Sequence, residues 1–432
     1  MDLSRLLERI DETATLRVAG RVRSVVGLCV RAAVPGVRTG ELVHIVRRDL
    51  PPLAATVVGF VEDDALLMPL GPAEGLGADD PVEPTGRPPT IRASDALLGR
   101  VLDGLGRPID GGPPIDGEPW DIARPPPNPM TRPRIRRPLV LGIRALDALL
   151  TVGEGQRVGL FAGSGVGKST LLGQIARQAE ADVFVACLIG ERGREVVEFL
   201  DDALGPEGRA RGVVVCATSD APALVRMTSA HVATAIAEYF RDRGRRVLLL
   251  MDSVTRFARA GREVGLAAGE PPARRGYPPS VFAALPGLLE RSGTSERGSI
   301  TAFYTVLVEG GDMEEPIADE VRGILDGHVV LDRSLGARGR WPAIDVLASL
   351  SRVMDAVTDE PHRAAAARLR ELCAVYESRR DLVALGAYKK GSDPKLDLAL
   401  SRIDAIEAFL RQGKHERSTF EETVAALRRL VA

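Results

Sequence analysis

A chain of 432 residues is too long for one ordinary hydrophobic core, so two or three domains are expected. Charged residues make up 27% and apolar residues 45%, a balance that excludes a disordered chain and supports a large buried core. With 57 Lys plus Arg against 59 Asp plus Glu, the net charge of −2 supplies no electrostatic footprint for a polyanion, and nucleic acid is set aside as a partner.

Met1 to Glu12 lacks the basic start and apolar stretch of a signal peptide, and no run approaches 18 consecutive apolar residues. A cytoplasmic protein that meets a membrane only through partners is expected. Leu3, Leu6, Leu7 and Ile10 recur at helical spacing, so Met1 to Ile10 reads as a short amphipathic docking helix or as a frayed end. Residues 1–90 carry short β-rich runs, Arg21 to Val26, Leu42 to Val46 and Ala55 to Val61, between Gly and Pro turns, which predicts a small barrel or sandwich. Leu98 to Asp110 is rich in Gly, and the stretch 122–138 is a connector whose Arg124 to Pro138 part holds six prolines and five arginines. It cannot be regular throughout and is expected to strap along a neighbouring domain.

Over 91–358 the pattern changes to continuous apolar runs separated by helical stretches: Val158 to Phe161, Val183 to Ile189, Val213 to Cys216, Val247 to Met251 and Ile300 to Val308. That alternation predicts an α/β domain with a parallel sheet covered on both faces. Residues 359–432 read as a third, helical domain, with Ala364 to Val383 and Ile403 to Leu410 as its clearest helices. Cys29, Cys187, Cys216 and Cys373 are scattered without metal-ligand spacing and are expected to be reduced core residues. Gly261 to Pro272, rich in Gly and Ala, reads as a loop.

The chemistry starts at Ala162-Gly-Ser-Gly-Val-Gly-Lys-Ser-Thr170, which follows one predicted strand and opens a helix near Lys168. This is the context of a phosphate-binding loop. Gly163, Gly165 and Gly167, with Ser164 and Val166 between them, let backbone amides curl around phosphate oxygens at the positive end of the helix. Lys168 is expected to reach the β and γ phosphates of ATP, Ser169 to ligate Mg²⁺, and Thr170 to close the motif. Ala162 stands where the strict pattern has Gly. The run Val247 to Asp252 ends a buried strand in a carboxylate, suited either to a second Mg²⁺ contact through water or to capping. Glu191 and Arg192 follow another strand, where a carboxylate can polarise water and an arginine can hold a γ-phosphate; a surface ion pair fits the same spacing. Arg352, after a Ser-x-Ser turn, has the composition of a solvated surface charge.

Together, this loop, Gly190-Glu-Arg-Gly-Arg194, Asp252-Ser-Val-Thr-Arg-Phe-Ala-Arg-Ala260 and Pro342-Ala-Ile-Asp-x-x-x-Ser-x-Ser351 resemble the rotary ATP synthase α/β superfamily. Within it, Thr151-Val-Gly-Glu-Gly-Gln-Arg-Val-Gly-Leu160, Arg275-Gly-Tyr-Pro-Pro-Ser-Val-Phe-Ala283 and Leu385-Gly-Ala-Tyr-Lys-Lys-Gly-Ser-Asp-Pro394 look like the type III secretion ATPases, flagellar or injectisome. The resemblance implies an N-terminal β-barrel, a RecA-like P-loop ATPase domain and a C-terminal helical domain in a homohexameric ring below an export gate. It implies Glu191 as the catalytic glutamate, Arg192 and Arg256 near the γ-phosphate, and Arg352 as an arginine finger for the neighbouring subunit. Trp341 and Tyr388 are its two adenine candidates, though both fit core packing as well. A stator-type regulator at the N-terminus, a central stalk protein, and chaperone-effector or flagellar-subunit cargo are the implied partners. The rival readings are an RNA translocase resembling the terminator Rho, a subunit of a rotary proton-pumping ATPase and a non-hydrolysing ring subunit.

Overall fold

The computed structural model describes residues 19–432. The expected helix over Met1 to Ile10 lies outside the described residues. Six antiparallel strands come first: β1 (Gly20–Val26), β2 (Cys29–Ala33), β3 (Leu42–Ile45), β4 (Leu53–Val61), β5 (Asp64–Pro69) and β6 (Pro81–Pro84). They close into a barrel in the order β1-β2-β5-β4-β3-β6, so the choice between barrel and sandwich falls to the barrel. Alternation drives this closure. Val22, Val30, Val43, Ile45, Val57, Leu67 and Val82 point inward from their strands and fill the interior, and closure leaves no free sheet edge. Gly27, at φ +58°, makes the tight β1–β2 turn.

Two short strands, β7 (Thr90–Ala93) and β9 (Glu118–Asp121), pair as a ribbon, and between them β8 (Val101–Asp103) runs onto the edge of the central sheet. Asp110 fixes that excursion by accepting from Arg100 Nε and Nη2, both at 2.8 Å, and from the Val101 amide. The Gly-rich Leu98 to Asp110 stretch is thus an added edge strand and its return. Beyond it the Pro/Arg-rich segment is strapped to the body. Arg132 donates to the Ser292 carbonyl and to that of Glu290, Thr294 donates to the Pro133 carbonyl, and the fully buried Arg291 donates to the Ile122 carbonyl and, in two bonds, to Glu238.

The central sheet contains β10 (Arg157–Ala162), β11 (Val183–Glu191), β12 (Gly212–Thr218), β13 (Arg246–Asp252), β14 (Gly293–Thr294), β15 (Ser299–Leu307), β16 (Gly327–Leu331) and β17 (Ile344–Ser351). Its order is β17-β16-β10-β15-β13-β11-β12-β8, with β14 attached to β15; β14 and β17 are antiparallel to their neighbours and the rest are parallel. Both faces are covered, which is why the strands read as unbroken apolar runs. On one face lie the helix Lys168–Gln178 and the C-terminal helices, joined through Leu172, Ile175, Leu369, Ile406 and Leu427. On the other lie Ala223–Arg241, Val254–Ala267 and Pro279–Leu289, through Ile236, Phe257 and Leu285.

The segment read as a loop from Gly261 is helical as far as Ala267. Ser253 caps this helix by accepting from the Arg256 amide, and an apolar stripe of Val254, Phe257, Ala258 and Gly261 buries against the sheet, overriding the low helix propensity of Gly261 and Gly265. The C-terminal region is three helices, Glu360–Ala384, Pro394–Leu410 and Phe420–Val431. The last opens with a Thr419-x-x-Glu422 capping box, whose two reciprocal bonds are both made. All four cysteines are buried and unpaired. No helix among the described residues is long and apolar enough to cross a membrane.

Candidate active site

Strand β10 delivers the chain at the C-terminal edge of the sheet, and residues 163–167 turn there into the helix Lys168–Gln178. Gly165 at φ +74° and Gly167 at φ +82° sit in the left-handed region that a residue with a side chain rarely adopts. No side chain caps this helix, so its first amides and positive end face the loop. Gly167 is also a close-approach position, because a Cβ there would stand 2.7 Å from Cζ3 of Trp341. That aromatic, 44% exposed, lies against the phosphate loop. A cavity of about 670 Å³ opens beside Gly163, Ser164 and Val166, and Arg333 steadies that side by donating to the Ser164 carbonyl at 2.7 Å.

Lys168 turns toward the sheet and meets two carboxylates. Its Nζ donates to Asp252 Oδ1 and stands 3.6 Å from Glu191 Oε1. Asp252, at the end of β13, is also held by the Thr305 hydroxyl at 2.8 Å from the adjacent β15. Glu191 ends β11 after a bulge at Gly190, whose φ of +65° redirects the strand. A Cβ at Gly190 would stand 3.1 Å from Arg256 Cδ, so glycine also makes room for that arginine. Arg256 Nη1 pairs with Glu191 Oε2 at 2.7 Å and donates to the Gly190 carbonyl at 2.6 Å.

Glu191 is therefore clamped through one oxygen, while its buried Oε1 accepts no hydrogen bond from the described residues. Burial first, then the neighbouring carboxyl groups of Glu195 and Asp252, push its carboxyl up to about 7, against the pull of Lys168 and Arg256. A carboxyl poised near neutrality with an open acceptor is suited to general-base work on water. Ser169, exposed on the first helical turn, and Asp252 supply the hard oxygen donors that magnesium takes, so the residues fit that ion.

Lys168, Ser169, Glu191, Asp252, Arg256 and Trp341 thus converge at one edge of the sheet. Three expected residues stand apart. Arg192 is exposed and pairs with Glu195 at 3.4 Å. The Tyr388 hydroxyl is spent on the start of the next helix, its one proton shared between Asp397 Oδ1 at 2.9 Å and the Asp393 carbonyl at 3.1 Å. Arg352 lies at the other end of the sheet. β17 runs antiparallel, with Ser351 opposite Gly327 and Ile344 opposite Leu331, and the Arg352 amide donates to the Asp326 carbonyl, level with Arg157 at the start of β10. The five-residue rise to Ala162 separates it from its own loop by about 16 Å. Nothing in the sequence singled out Thr305 or Arg333, and Gly190 stood there only as the first residue of the Gly190-Glu-Arg-Gly-Arg194 motif. Only the bulge glycine left a trace, as an isolated Gly at a strand end.

The model of the ATP synthase alpha/beta family nucleotide-binding domain matches residues 142–351, and that of the T3SS EscN ATPase C-terminal domain matches residues 358–429. The flagellum-specific ATP synthase of Bacillus subtilis is 50% identical over 99% of this chain and 98% of its own length. The type 3 secretion system ATPase of Xanthomonas euvesicatoria is 54% identical over 98% of this chain and 97% of its own. Among solved structures, the assembled ATPase EscN of the enteropathogenic E. coli type III secretion system superposes with a TM-score of 0.91 at 46% identity, covering 96% of this chain and 100% of EscN. EscN in complex with its central stalk EscO gives 0.89 over the same share of each chain at the same identity. The full-length likeness and the C-terminal match disfavour the terminator-like and rotary-pump readings. The chain belongs to the ATP synthase alpha/beta family, among the type 3 secretion system and flagellum-specific ATPases, and it is an ATPase.

Proposed function

We propose that this ATPase hydrolyses MgATP in a homohexameric ring that drives protein export through a type III secretion apparatus, with each site completed by the neighbouring subunit. The observation that carries the reading is the position of Arg352, which no rotamer can bring from the far end of the sheet to its own phosphate loop. In a head-to-tail ring the same guanidinium faces the next subunit's site.

ATP binds with its phosphates in the cradle of residues 163–167 and on the first amides of the following helix, and Trp341 packs beside the nucleotide. Lys168 neutralises the β and γ phosphates, and Thr170 continues the turn that carries it. Magnesium, bound with the nucleotide, would be held by Ser169, with Asp252 as a second contact through water, and would supply positive charge against the phosphate oxygens. Glu191, held by Arg256, orients the attacking water through its open oxygen and accepts its proton as the new bond to the γ-phosphorus forms and the bond to the bridging oxygen breaks. The neighbour's Arg352 offsets the charge that develops. Arg192, exposed beside the site, approaches the γ-phosphate only with a side-chain change.

The partners carry over by likeness: a central stalk, as EscO serves EscN, a stator-type regulator at the N-terminus, the export gate, and chaperone-effector or flagellar-subunit cargo. Replacing the chain by Lys168→Ala in its own cell and measuring secretion tests this. Export should stop while the protein remains at normal level; undiminished export would overturn the role.

A further inference from the structure

Behind Arg352, the N-terminal end of β10 carries a network that the hydrolytic site does not use. Gln156 is fully buried and every polar atom of its side chain is engaged. Its Oε1 accepts from the Gly153 amide at 2.9 Å, and its Nε2 donates to the Asp326 carbonyl at 3.0 Å and to Ser351 Oγ at 3.2 Å. The Asp326 carbonyl is the one that receives the Arg352 amide at 3.0 Å, and Ser351 is the preceding residue. The Ser351 hydroxyl donates onward to the Thr151 carbonyl at 2.9 Å. Asp326 is fixed in turn by Arg157, whose backbone amide, Nε and Nη2 reach its carboxylate at 3.1, 3.0 and 3.1 Å. Gly327 permits the approach, since a Cβ there would stand 3.1 Å from Gln156 Nε2 and 2.5 Å from the Leu350 carbonyl.

A buried amide that touches both residues flanking an exposed arginine's anchor fixes where that arginine leaves the surface. We infer that Gln156, with Asp326 held by Arg157, is a positioning residue for Arg352: it sets the angle at which the guanidinium is presented to the neighbouring subunit. The inference rests on the reading of Arg352 as a residue donated between subunits. Gln156 immediately precedes β10, six residues before Ala162 at the strand's far end, so it serves the neighbour's site and not its own.

Subunit mixing tests this. Gln156→Met keeps the length and burial and removes the donor; Ser351→Ala removes one of its two acceptors should the first variant fail to fold. A displacement of the arginine by about 1 Å should lower kcat roughly 10- to 100-fold with KM for ATP unchanged. Mixing with Lys168→Ala, which has a dead site but an intact Arg352, should restore part of the activity, because a Gln156→Met site beside a Lys168→Ala neighbour then receives a well-placed arginine. Arg352→Ala mixed with Lys168→Ala is the control. If the control shows no recovery, the donated-arginine reading fails and the inference falls with it. If the control recovers but Gln156→Met does not, or if Gln156→Met raises KM or leaves kcat intact, the positioning role alone is overturned.

Discussion

At the C-terminal end of β10, Lys168 faces Asp252 and Glu191, and one glutamate oxygen accepts no hydrogen bond; at the N-terminal end, Gln156 and Arg157 both bind Asp326, whose carbonyl also receives the amide of the exposed Arg352. The first end holds a buried carboxylate with an oxygen that accepts no hydrogen bond; the second ties backbone and side chains into a chain of bonds beneath an exposed cation. Burial with an open acceptor shifts a pKa and readies a group for chemistry, whereas a continuous hydrogen-bond network produces rigidity. In the proposed ring, a strand a few residues long joins a receiving half-site to a donating one, and closure is the arrangement in which both halves are used by every subunit.

Removing Arg352, the group proposed to be donated, should have the largest effect. Arg352→Ala is expected to lower turnover by about 10³ to 10⁵ while nucleotide binding by fluorescence titration stays near wild type, since the variant's own loop is untouched. A matching loss of affinity would mean that the two ends are not independent. Next comes the receiving end, where Glu191→Gln should cost roughly 10² to 10⁴ in kcat, read in a steady-state assay.

The same glutamate sets a pH dependence. In the proposed mechanism its base form is the active one, and burial raises its pKa to about 7, so kcat/KM should fall about tenfold per pH unit below that value and level off above it, and the limb should vanish in Glu191→Gln. For stability the sign reverses. A carboxyl whose folded pKa is raised holds its proton more tightly when folded, so its contribution is present at low pH and is lost as pH climbs from the ordinary glutamate range through 7. Melting at pH 8 should therefore find Glu191→Gln above wild type, and a lower Tm would contradict the burial argument. The smallest effects separate the two aromatics: Trp341→Ala should weaken ATP binding by about 1 kcal/mol, measured by calorimetry, while Tyr388→Phe should leave it within error.

The receiving end was largely legible in the sequence because its core is contiguous: the glycine loop, Lys168 and Ser169 lie in one run after an apolar strand. Pairing Glu191 with Lys168, Asp252 and Arg256 was not, since it depends on β11 and β13 being neighbours and on the Gly190 bulge, both settled by tertiary packing. Trp341 and Tyr388 look alike as isolated aromatics, and only the fold puts one on Gly167 and ties the other to Asp397. For Arg352 the surface charge seen from composition and the arginine finger implied by resemblance describe the same exposed side chain. The clamp beneath it was invisible, because Gln156, Asp326 and Ser351 are far apart in the chain and meet only when β16 aligns with β10 and β17. The Pro/Arg-rich strap was foreseen from its prolines, but its partners, the backbone around Ser292 and Thr294, were not.

The most direct test of a site shared between subunits is turnover per subunit as wild-type protein is diluted. Specific activity should fall steeply once the ring dissociates and return on reconcentration. A rate per subunit that stays constant down to the monomer would contradict it.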